Sequence, residues 1–548
     1  MPTHTNMPDS PPTSPTWGNW SGNIVHKPPT NGENYYFRPT NLADLKSVLA
    51  GAKAKGVTVR VSGQRHSQPP LVADDNRGAV APSPTTYLVD MSCYADLGQS
   101  GQDQMVLGPG PNQVTVNPGV KEDALDAFLT TSNLMLDAVT AGGFFSIGGM
   151  TAVDVHGGTV EAPIFAEAAA SFTILGADGN QTTIDGESKD ADGNLLLSFA
   201  RVSLGMLGVV TRLTLNVLPR PWANTLQGSH ERFLAATKSD FIAKYKQRLV
   251  GSGKHDRMEC FFTPYAAPFK IDNHLVLWWD VVQNPSPQIP NSAPTPQTAC
   301  ALSNANEFGA GLIDIGTFGA KVIRNSQTFR DYWNPFAGPA VIAAIALDQI
   351  ESQVKAANQV FSDLWLAKSS QVIFMSYFIE MPGLDDDGLG KAWEGLEVVD
   401  SYVTQSGNFH IAAPMEFRFV KGGDSALSGA FTRNANAYFV NLDLIAWVEP
   451  TPSSQYPAAL LKFFATVERK WVSLGGLPHH GKMYGFYDPT DASTDSCTPP
   501  FNKNFLKFIT NQRSVTRQAP VEAFKKFRSA SDPGGLFYPE YLRQLLGD

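Results

Sequence analysis

The sequence predicts an α+β fold in two domains, and three observations carry that expectation. The chain has 548 residues, more than the ~250–300 at which a single hydrophobic core stops growing. Short β-branched runs are interleaved with segments of helical periodicity, yet no Gly-x-Gly-x-x-Gly follows any strand, which removes the Rossmann route to a dinucleotide. At Leu218-Pro219-Arg220-Pro221 the texture shifts, and beyond it the chain is aromatic-rich, with Trp278, Trp279, Trp333, Trp365 and Trp447.

Taken in order, residues 1–30 are expected to form a disordered or extended tail, because Met1 to Trp17 are rich in Pro, Ser and Thr and lack the basic and apolar regions of a secretory signal. Residues 31–220 form the first domain. A capping Thr40/Asn41 precedes Leu42, Leu45, Val48 and Leu49 at helical spacing, and Gly56 closes that helix. Strands are expected at Val57 to Val61, Tyr87 to Asp90 and Met105 to Leu107, then a helix over Lys121 to Leu134 with Leu125, Phe128 and Leu129 on one face. Ser171 to Ile184 carries β-branched runs on both sides of Gly176-Ala177-Asp178-Gly179-Asn180, a hairpin signal, and another strand runs from Val209 to Val217. Residues 221–500 form the second domain, with a Pro-rich loop at Asn284 to Gln297 and a buried helix at Ala340 to Leu347. That apolar stretch is far short of the roughly 20 residues of a membrane span. An amphipathic helix around Ala523 to Arg528 opens the last part of the final segment, 501–548.

Composition narrows the function classes. A net charge of −9 with no Lys/Arg cluster argues against a nucleic-acid partner. No Gly-x-Ser-x-Gly elbow occurs, which disfavours a hydrolase. Cys93, Cys260, Cys300 and Cys497 are widely separated without a Cys-x-x-Cys pair, so buried thiols are expected rather than zinc or a disulfide framework. The chain is expected to be cytoplasmic.

The sharpest chemical signal is Val59-Arg60-Val61-Ser62-Gly63-Gln64-Arg65-His66-Ser67, a strand running into a Gly turn that presents a histidine. Such a turn can converge amide N–H groups on a phosphate, although a loop histidine satisfied by its neighbours has the same sequence appearance. Two further Gly-rich segments follow: Ala141 to Ala152 with His156-Gly157-Gly158, and Ser203 to Leu215 with Leu207-Gly208-Val209-Val210. In order and content the three resemble the flavin-binding domain of the vanillyl-alcohol oxidase superfamily, the FAD-binding PCMH type, whose corresponding loops wrap one FAD. That resemblance implies a two-subdomain FAD-binding domain with a large mixed α/β substrate cap. It implies FAD contacts from Ser62, Gly63, Gln64, Arg65, His66, Ser67, Gly142, Ser146, Gly148, Gly149, His156, Gly157, Gly208 and Val210. His66 would be the covalent attachment point; no cysteine lies in the Ala141 to His156 segment for a second tether. Asp532-Pro533-Gly534-Gly535-Leu536-Phe537 resembles the superfamily's C-terminal return to the flavin domain.

In the cap, Pro414-Met415-Glu416-Phe417-Arg418-Phe419-Val420 alternates at period two, placing Glu416 and Arg418 on one strand face. A solvated ion pair is one outcome; a charged pair turned into a site is the other, favoured by the apolar flanks. Gly475-Gly476-Leu477-Pro478-His479-His480-Gly481-Lys482 is a tight loop with two imidazoles and an ammonium. Adjacent histidines diverge and no further ligand lies at metal spacing, so zinc is disfavoured. Pro478-His479-His480-Gly481-Lys482 resembles the Pro-His-Trp-Gly-Lys of the aldonolactone and alditol oxidases, with His480 in place of Trp, a change that points away from a polyol. With Glu416 and Arg418 it resembles the branch that also holds the covalent-FAD (type II) cholesterol oxidases, and the long aromatic cap is in the style of the latter.

The resemblance implies an FAD-dependent oxidase that moves a hydride from a C–OH carbon to flavin N5 and yields a carbonyl product and hydrogen peroxide. Removing the hydroxyl proton needs a base and the developing negative charge needs cations; Glu416 is expected as the base, Arg418 and Lys482 as the cations. The expected partners are a small-molecule alcohol, sterol-like or a polyol or aldonolactone, and O2. A dehydrogenase using another acceptor and a flavoprotein that only binds a ligand are the alternatives.

Overall fold

The structure is a computed structural model that describes residues 15–140, 143–220, 224–264, 272–283, 372–403, 413–446 and 451–548, with a few isolated positions between them. The expected loop at Asn284 to Gln297, the helix at Ala340 to Leu347 apart from its last residue, Trp333, Trp365, Trp447 and Gly142 lie outside the described residues.

A small parallel sheet comes first. It is built from β1 (Tyr36–Phe37), β2 (Thr58–Ser62) and β3 (Thr86–Asp90) in the order β1-β3-β2, with helix α1 (Leu42–Lys55) crossing over between β1 and β2. The α1 boundaries follow from its caps. The Asn41 side chain accepts from the Ala43 and Asp44 amides, and Gly56, at φ 68, turns the chain in the left-handed conformation that favours glycine. Leu45, Val48, Leu49 and Ala52 are buried, and they share one cluster with Leu88 and Val89 of β3.

The next sheet is antiparallel and five-stranded. Its strands are β4 (Met105–Leu107), β5 (Gln113–Val116), β6 (Ala169–Leu175), β7 (Gln181–Asp185) and β8 (Val209–Asn216), in the order β7-β6-β8-β5-β4. The hairpin β6–β7 forms where the turn residues predict it, with Gly176 N donating to Asn180 O and Gly179 at φ 80. Two helices lie between β5 and β6: α2 (Glu122–Thr131) and α3 (Ile147–Ala152). Helix α2 is shorter than the periodicity predicts, because Asn133 takes a left-handed φ of 60 and Leu134–Met135 then pairs antiparallel with Leu218–Pro219.

From Asn224 the chain builds a seven-stranded antiparallel sheet: β9 (Asn224–Phe233), β10 (Met258–Phe262), β11 (His274–Gln283), β12 (Ile373–Met381), β13 (Met415–Lys421), β14 (Tyr438–Ala446) and β15 (Leu477–Pro478). The order is β9-β11-β10-β13-β14-β12-β15. Helices α4 (Lys238–Leu249), α5 (Asp386–Val403) and α6 (Ala458–Ser473) connect its strands. The Trp471 indole donates to Gly395 O, which fastens α6 to α5. Strands β13 and β14 sit inside the sheet and are buried on nearly every residue. A polar side chain on either strand therefore lies away from water and needs a partner.

The chain closes with α7 (Lys503–Arg517), α8 (Val521–Ser531) and α9 (Glu540–Leu546). Between α8 and α9, Leu536 O accepts from Val59 N, so the C-terminal segment docks beside β2. Buried Arg60 on β2 ties three stretches together: it donates to Leu71 O at 2.6 Å, Leu204 O at 2.5 Å and Phe537 O at 3.0 Å.

Two further expectations change. The N-terminal segment is packed from Pro15 onward, since Trp17–Gly18 pairs with Val25–His26 and Trp17 and Trp20 are buried; its tryptophans outweigh its Pro/Ser/Thr texture. Cys93 is disulfide-bonded rather than a free thiol, while Cys260 is a buried thiol and Cys497 a half-buried one. No described helix is long and apolar enough to cross a membrane.

Arg60→Met leaves several buried carbonyls without their donor and is expected to lower stability by about 3 kcal/mol, read as a shifted midpoint in urea unfolding. An unchanged midpoint would refute the clamp.

Candidate functional site

Strand β2 ends at Ser62, and the following loop turns back under the N-terminal segment. Trp17 Nε1 donates to Ser62 Oγ at 2.9 Å, Trp20 N donates to Arg65 O at 2.8 Å, and the Asn19 side chain donates to Ser67 O at 3.0 Å. These bonds hold Arg65 at φ 59, where side-chain-bearing residues are uncommon. Gly63 lets the loop approach Ser146 closely: a Cβ there would lie 2.5 Å from Ser146 Oγ, which would have to rotate away. The His66 ring lies tilted against Trp20 with centroids 4.6 Å apart and meets Phe145 edge-on at 5.0 Å. Burial, reinforced by the nearby Lys482 charge, holds the His66 pKa well below its usual range, so the imidazole is neutral.

The same loop is bonded to the 479–482 turn. Gln68 N donates to Gly481 O at 3.0 Å, and the Gln68 side chain bridges Val372 O and Phe374 N at the start of β12. His479 N donates to Ser376 O, and Met483 N to Phe374 O. The Lys482 ammonium lies over the Phe374 ring, 3.8 Å from its centroid. Burial lowers the Lys482 pKa, opposed by the charges of Asp443 and Glu416.

Glu416 and Arg418 share a face of β13, as the alternation predicts, but that face is interior: they are 4% and 6% exposed, which rules out a solvated surface pair. Arg418 Nη2 lies 2.5 Å from Glu416 Oε1 and also pairs with Glu259 at the edge of the β10 register. Across the β13–β14 ladder, Asp443 stands opposite Glu416. Burial pushes the Glu416 carboxyl up to about 8, helped by Glu259 and opposed by Arg418. Burial likewise raises Asp443 to about 6, with the Glu416 charge adding to it. For Arg418 burial works against the charge, yet the surrounding carboxylates outweigh it and raise the pKa.

One cavity collects these groups. Its walls include Ser62, Gly63, Gln64, Arg65, His66, Ser67, Ser146, Gly148, Gly149, His156, Glu416, Arg418 and Lys482, all expected from the sequence. They also include Trp17, Leu204, Gly205 and Asp443, which sequence reasoning did not select as site residues, and His479 of the turn, whose role it left open. Asp443 carried a legible signal, since Asn441 and Asp443 interrupt an apolar strand with the same period-two spacing as Glu416 and Arg418. Gly157, Gly208 and Val210 are not in the cavity wall. Gly208 serves the fold instead: at φ 135, its missing Cβ would lie 2.5 Å from Leu175 O of β6.

The two histidines of the turn divide. His479 faces the cavity, 6.1 Å from the His156 ring and stacked on Phe378, and burial keeps it neutral; His156 is depressed to about 3 by burial and by Arg418. His480 points away into a network in which its N–H donates to Asp154 Oδ2 at 2.8 Å and its Nε2 lies 2.5 Å from Arg513 Nη1. His480, which stands in place of the tryptophan, is not in the cavity wall. No group of His, Cys, Asp and Glu able to hold a metal occurs among the described residues.

The raised Glu416 carboxyl has a consequence for stability. A carboxyl with a folded pKa of about 8 against an ordinary 4.5 binds protons preferentially in the native state, so its contribution is present at low pH and is lost as pH rises through 8. Glu416→Gln should therefore flatten the decline of unfolding free energy between pH 5 and 9, measured in urea. Arg418→Met, which strands Glu416 and Glu259, should cost roughly 3–5 kcal/mol, and Glu259→Gln added to it should recover part of that loss in the same assay.

Comparison with known proteins bears on this geometry. The D-arabinono-1,4-lactone oxidase family matches residues 389–545, the stretch that carries Glu416, Arg418, Asp443 and the 479–482 turn. The chain is 28% identical over 535 residues to a protein named L-gulono-1,4-lactone dehydrogenase from Mycobacterium tuberculosis, covering 97% of this chain and 100% of that one. It is 27% identical over 185 residues to an L-gulonolactone oxidase from Mus musculus, 34% of this chain and 37% of that one. In fold it is similar to a solved structure titled solvent-stable cholesterol oxidase, with a TM-score of 0.71, 18% identity and 98% of each chain covered.

Proposed function

For a chain that is an FAD-dependent oxidoreductase of the vanillyl-alcohol oxidase superfamily, on its aldonolactone oxidase branch, we propose oxidation of a ring hydroxyl of an aldono-1,4-lactone or a close polyhydroxylated relative. The chain's general chemistry is FAD-dependent oxidation of a hydroxyl-bearing substrate. The observation that carries the finer reading is the convergence of Glu416, Arg418, Asp443 and Lys482 on the cavity shared with the Ser62–Ser67 loop. A ligand with several hydroxyls would pair with these buried charged groups, whereas a sterol offers them a single hydroxyl.

The wall fits FAD. Gln64 Oε1 and Arg65 Nε are buried without a hydrogen-bond partner in the loop that lines the cavity, so a polar group bound there would satisfy them. The residues that would hold the cofactor are Ser62 to Ser67, Ser146, Gly148, Gly149, Leu204 and Gly205. Neutral, buried His66 retains the lone pair that a covalent bond to the cofactor requires. Bound FAD supplies the hydride acceptor. The protein's own part is electrostatic: Arg418 and Lys482 hold positive charge in a dry wall, where it stabilises a substrate oxygen losing its proton, and a neighbouring carboxylate accepts that proton. His479 and His156, both neutral, add no competing charge.

Oxygen as the terminal acceptor, with release of hydrogen peroxide, agrees with the oxidase names among the relatives. The relative aligned over the full length is named a dehydrogenase, which favours a second reading in which another acceptor replaces oxygen.

Anaerobic mixing with L-gulono- or D-arabinono-1,4-lactone should bleach the oxidised-flavin absorbance, and cholesterol should not; bleaching by the sterol alone would overturn the substrate assignment. Peroxide release on readmitting air separates oxidase from dehydrogenase. Lys482→Met should slow the bleaching by about 10²–10³-fold with cofactor content unchanged. His66→Ala should release its flavin on acid precipitation, whereas a pellet that stays yellow would exclude this attachment point.

A further inference from the structure

The buried carboxylates around Arg418 are not equivalent. Glu416 is already engaged, with Oε1 against Arg418 Nη2 at 2.5 Å and a hydrogen bond to the Glu259 carboxyl. Burial raises the Glu416 carboxyl to about 8, so beside the guanidinium it already carries its proton at neutral pH. A group in that position is a poor acceptor for a second proton. Asp443 differs. It is 6% exposed, lines the cavity, and takes a hydrogen bond from Ser376, while its Oδ1 is buried with no donor. A buried acceptor without a donor, on a residue that lines a cavity, is suited to a ligand hydroxyl. Lys482 supplies the adjacent positive charge that favours the ionised form of Asp443.

We propose that Asp443, rather than Glu416, is the catalytic residue that accepts the substrate's hydroxyl proton, and that Glu416 is a positioning residue that fixes Arg418. The inference rests on the functional reading above and deepens it. In the step, the substrate O–H bond breaks and its proton goes to Asp443 Oδ1. The O–H electron pair becomes the second C–O bond as the C–H hydride leaves with its own pair to FAD, the oxidant. Asp443 ends neutral and returns its proton to solvent before the next turnover. The order of ionisation supports the assignment: with Asp443 at about 6 and Glu416 at about 8, Asp443 is the carboxylate charged at neutral pH. The other titratable or charged groups lining this cavity are Glu416 and Arg418 on β13, His479 and Lys482 in the turn, His156 after α3, Arg60 on β2, Arg65 and His66 in the loop after it and Asp90 on β3, with Glu259 on β10 behind Arg418.

The test uses the flavin-loaded full chain as wild type, Asp443→Asn, Asp443→Glu and Glu416→Gln, with two readouts. The first is the pH profile of anaerobic flavin reduction by an aldono-1,4-lactone. The second is a pH titration of the resting flavin spectrum, which registers ionisation near the ring without turnover. The wild type should show a rising limb near pH 6 in both. Asp443→Asn should keep its flavin, lose that limb in both readouts and reduce about 10²–10⁴-fold more slowly. Asp443→Glu should restore a limb, and Glu416→Gln should retain one, moved to lower pH because the Glu416 charge no longer helps to raise Asp443. A limb that vanishes in Glu416→Gln and persists in Asp443→Asn, or an Asp443→Asn rate within tenfold of wild type, overturns the Asp443 assignment alone. A wild type whose flavin no hydroxyl donor reduces overturns the functional reading, and this one with it.

Discussion

The constraint on which the site depends is the burial of net charge inside an apolar sheet. Arg418 could not be stable on an interior strand without compensating carboxylates, and Glu416 and Glu259 could not be stable there without Arg418. Asp443 and Lys482 extend the same compensation across β14 and the 479–482 turn. Removing any single charge leaves the others unpaired in a low-dielectric setting, so the cluster behaves as a unit. A fold that tolerates such a cluster has spent stability on preorganised charge, which is the resource a proton-and-hydride reaction draws on.

The two halves of the chain meet through hydrogen bonds made to the backbone. Gln68 joins the loop after β2 to both the 479–482 turn and the start of β12, so the cradle side of the cavity and its charged side are held in fixed relation. Arg60 and Leu536 perform the same task for the C-terminal return. The N-terminal segment adds a third restraint through Trp17, Asn19 and Trp20, which grip Ser62, Ser67 and Arg65. His66 is thereby held between aromatic rings, neutral, beside the ammonium of Lys482.

Local signals were legible where the physics is local. The caps of α1, the turn of the β6–β7 hairpin and the alternation that puts Glu416 and Arg418 on one face depend on a few neighbouring residues, and each appears where the sequence predicts it. Helix α2 ended early because a distant strand pair captured Leu134 and Met135. The N-terminal segment carried a disorder-like composition, yet its tryptophans are buried against residues more than forty positions away. Gly208 belonged to a recognisable turn, but its lack of a side chain answers a backbone approach by β6 rather than a ligand.

By itself, the sequence determined the glycine turns, the presentation of His66, the shared face of Glu416 and Arg418, and the turn carrying Lys482, because these follow from chain geometry over a few residues. Only the tertiary structure decided that Asp443 stands across from Glu416, that Glu259 shares Arg418, that His479 faces the cavity while His480 turns to Arg513, and that the first tryptophans belong to the cradle. Spacing along one strand says which residues share a face. Which strand lies beside it, and in what register, is set by packing between segments far apart in the chain.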